Sequence, residues 1–197
     1  MSGEAAGPRR GLPRIVDVAL AAVGLVVTSP LLAAAAVAIR LNSPGPVVYR
    51  QLRSGRHGRP FELLKLRTMR QGADPVGVGV PVLEGDPLVT RVGHVLRRFS
   101  LDELPNLVNV VRGEMALVGP RPTLPPQVEE YTPRQRRRLE VRPGVTGWAQ
   151  VNGRAEIPWD ERIELDVWYV DHRSAKLDLR ILARTARLLI SGRGLYG

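Results

Sequence analysis

IVDVALAAVGLVVTSPLLAAAAVAI, residues 15–39, holds a single ionisable side chain, Asp17. A bilayer crossing needs roughly 20 apolar residues, so this run is long enough to enter or cross a membrane. Two features oppose a straight crossing. Ser29-Pro30 lies near its middle, and proline lacks an N–H and clashes with the preceding turn. The Ser29 hydroxyl is placed to satisfy a carbonyl freed by that proline, which makes a break tolerable in lipid. Both flanks are also basic: Arg9, Arg10 and Arg14 precede the run, and Arg40, Arg50, Arg53, Arg56 and Arg59 follow it. The positive-inside rule then places both ends in the cytoplasm. A helix-break-helix that dips in and returns satisfies this. A proline-kinked single pass is the alternative, and these residues leave both open. A cleaved signal peptide is disfavoured, because the apolar run exceeds a typical h-region and no clear cleavage site leads into a polar mature start.

The chain around this segment has 197 residues, enough for one domain with a membrane element. It has no cysteine, which excludes disulfides, Cys-ligated zinc and a thiol nucleophile. The net charge of +10, from 29 basic and 19 acidic residues, favours polyanionic partners. Nucleic acid is not expected among them. The basic residues are dispersed, stacking aromatics are few and no nucleic-acid motif is present.

Downstream, Gly and Pro around Val47–Tyr49 read as turn, short strand, turn. FELLKLRTM, residues 61–69, supplies a second strand and hence a small hairpin. Residues 72–87 read as a loop. Residues 88–100 begin a helical pattern with Val92, Val95, Leu96 and Phe99 on one face, and 102–112 continue it with Leu104, Leu107, Val108 and Val111. A charged helix is predicted from about Gln127 to Leu139, after a proline-punctuated loop, and residues 142–154 read as loop. Further helices are predicted over Trp159–Val170 and Leu179–Ile190. The last places Leu179, Leu182, Ala186, Leu189 and Ile190 near one side, with Arg180, Arg184 and Arg187 elsewhere. A basic amphipathic helix suits a membrane surface and equally a core-packing role.

The chemistry concentrates in RRFSLDELPNLVNVVRGEMALVGPRP, residues 97–122. Ser100-x-x-Glu103 has the form of a capping box, with Asp102 in the first turn complementing the helix dipole. Pro105 falls at the fifth position if Ser100 is the N-cap, or in the first turn if Asp102 is, and the sequence does not choose. A pyrophosphate-handling enzyme needs an anionic nucleophile or base, a divalent ion, and cations on the phosphate oxygens. Asp102 and Glu103 can supply the first two requirements. Arg97, Arg98, Arg112 and Arg121 are near in sequence and suit the third, since guanidinium donates to phosphate with two hydrogen bonds at once. Pro120 and Pro122 stiffen the loop that carries Arg121.

These pieces in this order resemble the bacterial sugar transferase family, the monotopic polyprenyl-phosphate phosphoglycosyl transferases, in their small minimal form. The matching elements are TSP at 28–30, SPGPVVYRQLRSG at 43–55, FELLKLRTM at 61–69, SLDELPNLVNVVRGEMALVGPRP at 100–122, RPGVTGWAQVNGR at 142–154, ELDVWYV at 164–170 and LDL at 177–179. They cover the chain from about Arg14 onward.

The resemblance implies an α+β, mainly helical fold with three parts: a basic tail over 1–13, a re-entrant membrane helix over 14–41 broken at Ser29 and Pro30, and a cytosolic interfacial catalytic domain over 42–197. It also implies the small hairpin, amphipathic helices at the membrane interface, and a monotopic position on the cytoplasmic face of the bacterial inner membrane. The implied reaction is ping-pong. Asp102 attacks the β-phosphate of a UDP-sugar, UMP leaves, and polyprenyl (undecaprenyl) phosphate then takes the phosphosugar, beginning glycoconjugate or exopolysaccharide assembly. Glu103 is the implied magnesium ligand and Arg121 the phosphate binder. Arg97, Arg154 and Lys65 are the remaining substrate-binding positions. UDP-sugar, polyprenyl phosphate and membrane lipids are the implied partners; a homodimer is left open, as is the choice of sugar. Residues 75–85, just before the catalytic segment, carry no family motif and are a candidate for sugar selection.

Overall fold

A computed structural model describes residues 11–73, 86–153 and 157–190. The expectations for residues 1–10, for Arg154 and for the 75–85 loop lie outside the described residues.

Helix α1, Arg14–Asn42, is 29 residues long and has the length and composition to cross a membrane. In place of two helices separated by a break, one helix continues through Pro30. The reason is local. Pro30 cannot donate to the carbonyl of Val26, and the Ser29 hydroxyl donates to that carbonyl instead, at 2.7 Å. Thr28 Oγ1 donates to the Gly24 carbonyl at 2.7 Å. The middle of the helix is exposed, with Val26 72% and Val27 70% accessible. Both ends are not. Asp17 and Ala21 are buried near one end, Ala35 and Ile39 near the other.

The N-terminal end is fastened by polar contacts. Arg14 Nη1 donates to the Met115 carbonyl at 2.8 Å, and its Nη2 to the carbonyl of Val110. The Leu117 N–H donates to Asp17 Oδ1 at 3.3 Å, and the Leu12 N–H to Asp178 Oδ2 at 2.8 Å. Ala21 then joins the main core with Phe61, Leu63, Val110, Met115, Tyr169 and Ile181. Ala35 and Ile39 form a second cluster with Leu66 and Leu96. The long apolar helix and the rest of the fold therefore share two hydrophobic cores.

The hairpin forms as expected, with a longer first strand. β1, Val48–Ser54, pairs antiparallel with β2, Pro60–Leu66, in a register that sets Tyr49 opposite Lys65. Helix α2, Arg91–Arg98, starts at Thr90, whose hydroxyl accepts from the Gly93 N–H at 2.9 Å. Gly93 lies so close to Thr68 that a Cβ there would be 2.0 Å from the Thr68 carbonyl oxygen. Leu96 faces the core, whereas Val95 and Phe99, expected beside it, are exposed. Helix α3, Asn106–Arg112, buries Val110 rather than the expected Val111, and ends at Gly113 in the left-handed region at φ 91°.

Two short strands were not legible. β3, Ala116–Val118, pairs parallel with β4, Gly144–Thr146, the latter inside a stretch expected to be loop. The single helix expected over Gln127–Leu139 is instead α4, Pro125–Glu129, then α5, Pro133–Arg136, then a 3₁₀ turn over Arg137–Glu140. Thr132 caps α5 reciprocally with Gln135, and Pro133 occupies the first helical position, so the chain restarts there. α6, Trp148–Asn152, α7, Trp159–His172, and α8, Ala175–Ile190, complete the body. On α8 the buried side is Leu177, Asp178 and Ile181, while Leu179 is 56% exposed. Of the expected stripe, Leu182 packs against the core, while Leu179, Ala186 and Leu189 are exposed.

Candidate active site

The acidic pair lies on neither of the helices that capping could have produced. Ser100 adopts the left-handed conformation, φ 54°, ψ 24°, and Leu101–Glu103 is a 3₁₀ turn. The anticipated capping box is absent, and Pro105 itself stands at the N-cap of α3. Three residues per turn set neighbouring side chains about 120° apart. Asp102 and Glu103 therefore point in different directions, and both are 9% exposed.

Glu103 is clamped. Its Oε1 accepts from Lys65 Nζ at 2.7 Å and from Arg121 Nη2 at 2.8 Å. Lys65 comes from β2, and Arg121 from the loop after β3. Burial opposes ionisation of Glu103, but the charges of Arg121 and Lys65 and their hydrogen bonds hold it well below the usual carboxylate range. Asp102 behaves oppositely. Burial, with the charge of Glu103, pushes it up against the pull of Lys65, Arg97 and Arg121. Two adjacent carboxylates are thus driven apart: one held as an anion between two cations, the other raised by burial.

Arg97, on α2, donates through Nε to Thr68 Oγ1 at 2.9 Å, which ties it to the end of β2. Of the sequence-derived positions, Asp102, Glu103, Lys65, Arg97 and Arg121 converge. Ser29 and Pro30 belong to α1 and take no part in this cluster.

Three residues of the site were not singled out from the sequence. Arg53, on β1, donates to Gln51 Oε1 at 2.6 Å and to the Pro122 carbonyl at 3.3 Å. Burial and the neighbouring charge of Arg121 lower its pKa to about 10. Its signal was its place in the YRQLRSG segment, one residue from the hairpin end. Arg138, 3% exposed, donates to Asp166 Oδ2 at 2.5 Å, to Tyr131 Oη at 2.6 Å and to the Arg121 carbonyl at 2.9 Å. Asp166 was detectable as an acid on the apolar stripe of α7, beside Ile163 and Val167, a pattern that calls for a buried partner. Nothing in the run Arg136–Arg138 marks which arginine that is.

Among the described residues, no group of three or more His, Cys, Asp or Glu side chains comes together. The acidic pair fits magnesium in one way. Magnesium keeps several waters and takes one or two protein carboxylates together with substrate phosphates. Both cation contacts of Glu103 fall on Oε1, and Oε2 takes part in neither.

A buried acidic pair ringed by Lys and Arg, on a body that shares its cores with a helix long and apolar enough to cross a membrane, suits anionic substrates. The chain belongs to the bacterial sugar transferase family, whose sequence profile matches residues 9–192. It is 44% identical over 184 residues to the uncharacterized sugar transferase EpsL of Bacillus subtilis, covering 93% of this chain and 90% of that one. It is 43% identical to a UDP-glucose:undecaprenyl-phosphate glucose-1-phosphate transferase of Caulobacter vibrioides, covering 93% and 71%. A UDP-N-acetylgalactosamine-undecaprenyl-phosphate N-acetylgalactosaminephosphotransferase of Aeromonas hydrophila is 40% identical, over 93% of this chain and 44% of the relative.

Proposed function

We propose that this polyprenyl-phosphate phosphoglycosyl transferase moves a sugar 1-phosphate from a UDP-sugar to undecaprenyl phosphate, through a covalent phosphosugar on Asp102. The relatives' activities support the overall reaction. The observation behind the covalent route is the different surroundings of the two carboxylates. Glu103 is neutralised by Lys65 and Arg121. Asp102 is buried, its charge answered by cations rather than by a hydrogen bond from any described residue.

In the first step an Asp102 carboxylate oxygen attacks the β-phosphorus of the donor. The bond between that phosphorus and the bridging oxygen breaks, and UMP leaves with the electron pair. An acyl phosphate of the sugar remains on Asp102. In the second step a phosphate oxygen of the polyprenyl phosphate attacks the same phosphorus. The acyl phosphate bond breaks and the Asp102 carboxylate is restored. Arg121, Arg97 and Lys65 answer the charge of the phosphate oxygens in both steps. Arg154 is a further substrate contact in this reading. Magnesium, held by Glu103 and substrate oxygens, would supply additional neutralisation of the diphosphate.

The same reading places α1 as a re-entrant helix on the cytoplasmic face of the inner membrane. A 29-residue helix is about 42 Å long, beyond the ~30 Å hydrocarbon layer. A straight crossing would carry Ala35 and Ile39 to the opposite side from Asp17 and Ala21. Yet both pairs are buried on one catalytic body. The exposed middle, Val26 to Leu31, is left to meet lipid.

The test is intact-mass measurement of the protein in lipid nanodiscs, given a UDP-sugar from a panel and no lipid acceptor. The expected result is UMP release with one sugar-phosphate adduct, absent in Asp102→Asn. Sustained turnover by Asp102→Asn would overturn the assignment.

A further inference from the structure

One cavity among the described residues lies away from the acidic pair. It is a cavity of about 470 Å³ at the turn of the hairpin, lined by Arg56, His57, Arg59, Pro60, Phe61 and Arg142, with Gly55, Gly113 and Glu114. None of these residues belongs to the Asp102 cluster. Lys65 pairs with Tyr49, whereas the turn closes at Ser54 opposite Pro60, five residues farther along β2. At about 3.4 Å per residue the two places are roughly 17 Å apart.

The cavity is built for an anion. Arg56 is tethered by Nε to the Glu140 carbonyl at 3.0 Å, and Arg142 by Nε to the Gly113 carbonyl at 2.9 Å. Each tether uses the inner nitrogen of the guanidinium and fixes its plane. The paired outer NH₂ groups, which grip phosphate oxygens two at a time, are not spent on these contacts. The turn that presents Arg56 and Arg59 is unusual. His57 sits in the left-handed region at φ 57°, a conformation uncommon outside glycine.

The acid in the wall, Glu114, accepts from Asn109 Nδ2 at 2.6 Å, so its charge is partly engaged away from the arginines. Burial, followed by repulsion from Arg14, Arg56 and Arg173, lowers the pKa of Arg142. A bare phosphate would leave most of a 470 Å³ space empty. Pro60 and the buried ring of Phe61 offer an apolar wall for the rest of a ligand.

We infer that Arg56, Arg59 and Arg142 form a second anion site, separate from the Asp102 pair, that takes an organic phosphate or diphosphate. The phosphate lies against the three guanidiniums and the organic part against Phe61. The chemistry is shared by soluble phosphate esters and by anionic lipid headgroups.

The probe is inorganic pyrophosphate, titrated by calorimetry into the full chain in nanodiscs of zwitterionic lipid. The background is Arg121→Gln, which disables anion binding at the acidic pair. One binding event is expected to remain. Arg56→Gln with Arg59→Gln, both exposed positions, should weaken it at least about tenfold while thermal unfolding stays in place. Absence of any event in the Arg121→Gln background overturns the inference, as does an event that survives the double change. A second arm repeats the titration in nanodiscs of phosphatidylglycerol. Loss of the event there assigns the site to a headgroup, and an unchanged event assigns it to a soluble phosphate.

Discussion

Arg138 donates to the backbone carbonyl of Arg121 at 2.9 Å, so the arginine that clamps Glu103 is itself held from behind. The support continues inward, since Arg138 also bonds Asp166 Oδ2 and Tyr131 Oη. One chain of contacts links α7 to the acidic pair.

Breaking this chain has two separable effects. Arg138→Gln leaves Asp166 buried without its partner and should cost about 3–5 kcal/mol in denaturant unfolding. Arg138→Met combined with Asp166→Leu should recover much of that stability. UMP release should stay depressed in the double variant, because the Arg121 carbonyl has lost its donor. Wild-type turnover in the double variant would show that the chain only stabilises the fold.

The raised pKa of Asp102 gives two pH effects. Attack needs the ionised form, so kcat/KM should fall as pH drops through a pKa above the unperturbed value of about 3.9. Lys65 is the strongest charge pulling that pKa down, so Lys65→Met should move the acid limb to higher pH. For folding the direction reverses. A raised carboxylate contributes stability below its unfolded pKa and loses it as pH rises through the folded pKa. Asp102→Asn, neutral throughout, should therefore be inactive yet more stable than wild type near neutral pH. Urea unfolding at pH 4 and pH 7 measures the difference.

Gly93 admits no side chain against the Thr68 carbonyl. Gly93→Ala should shift α2 and destabilise by at least about 1–3 kcal/mol. The same shift separates Arg97 from Thr68 Oγ1, so turnover should fall as well. Thr68→Val, which keeps the shape and removes the acceptor, should lower turnover with a smaller loss of stability. If Thr68→Val is fully active, the tether does not position Arg97.

The topology of α1 can be read with thiol reagents, because the chain has no native cysteine. Single cysteines at Pro13 and Ser43 should both be protected from a membrane-impermeant reagent added to the periplasmic side. Pro30→Leu restores the missing donor and favours a straight helix, and should expose one of them. Periplasmic labelling of either position with Pro30 present would refute the re-entrant form.

EDTA should stop UMP release, and added magnesium should restore it. Turnover that ignores the chelator removes the metal from the proposal.

Much of this was legible in the sequence because it is local or rests on long motifs. The apolar run and the hairpin follow from neighbouring residues, and the grouping of Asp102, Glu103, Lys65, Arg97 and Arg121, which come together in the fold, was expected from the resemblance of long motifs in a recognisable order. The rescue of the Val26 carbonyl by Ser29 follows from the proline rule alone. What escaped depends on distant partners. β3 and β4 are three residues each and exist through parallel pairing across 28 positions, which leaves no periodicity to detect. The helix expected over Gln127–Leu139 failed because Thr132 and Pro133 are a start signal read there as interior. The capping box at Ser100 failed because Glu103 found stronger donors in Lys65 and Arg121. Arg138 was one of three consecutive arginines, distinguishable only by the carboxylate opposite it.

The sharing of Ala21, Ala35 and Ile39 between α1 and the body bears on how the protein can be handled. Removing residues 1–42 to obtain a shorter enzyme would strip a wall from each of two hydrophobic clusters and remove Arg14 and Asp17, the partners of Met115 and Leu117. Detergent or nanodisc preparation of the intact polypeptide is the route that leaves those clusters closed.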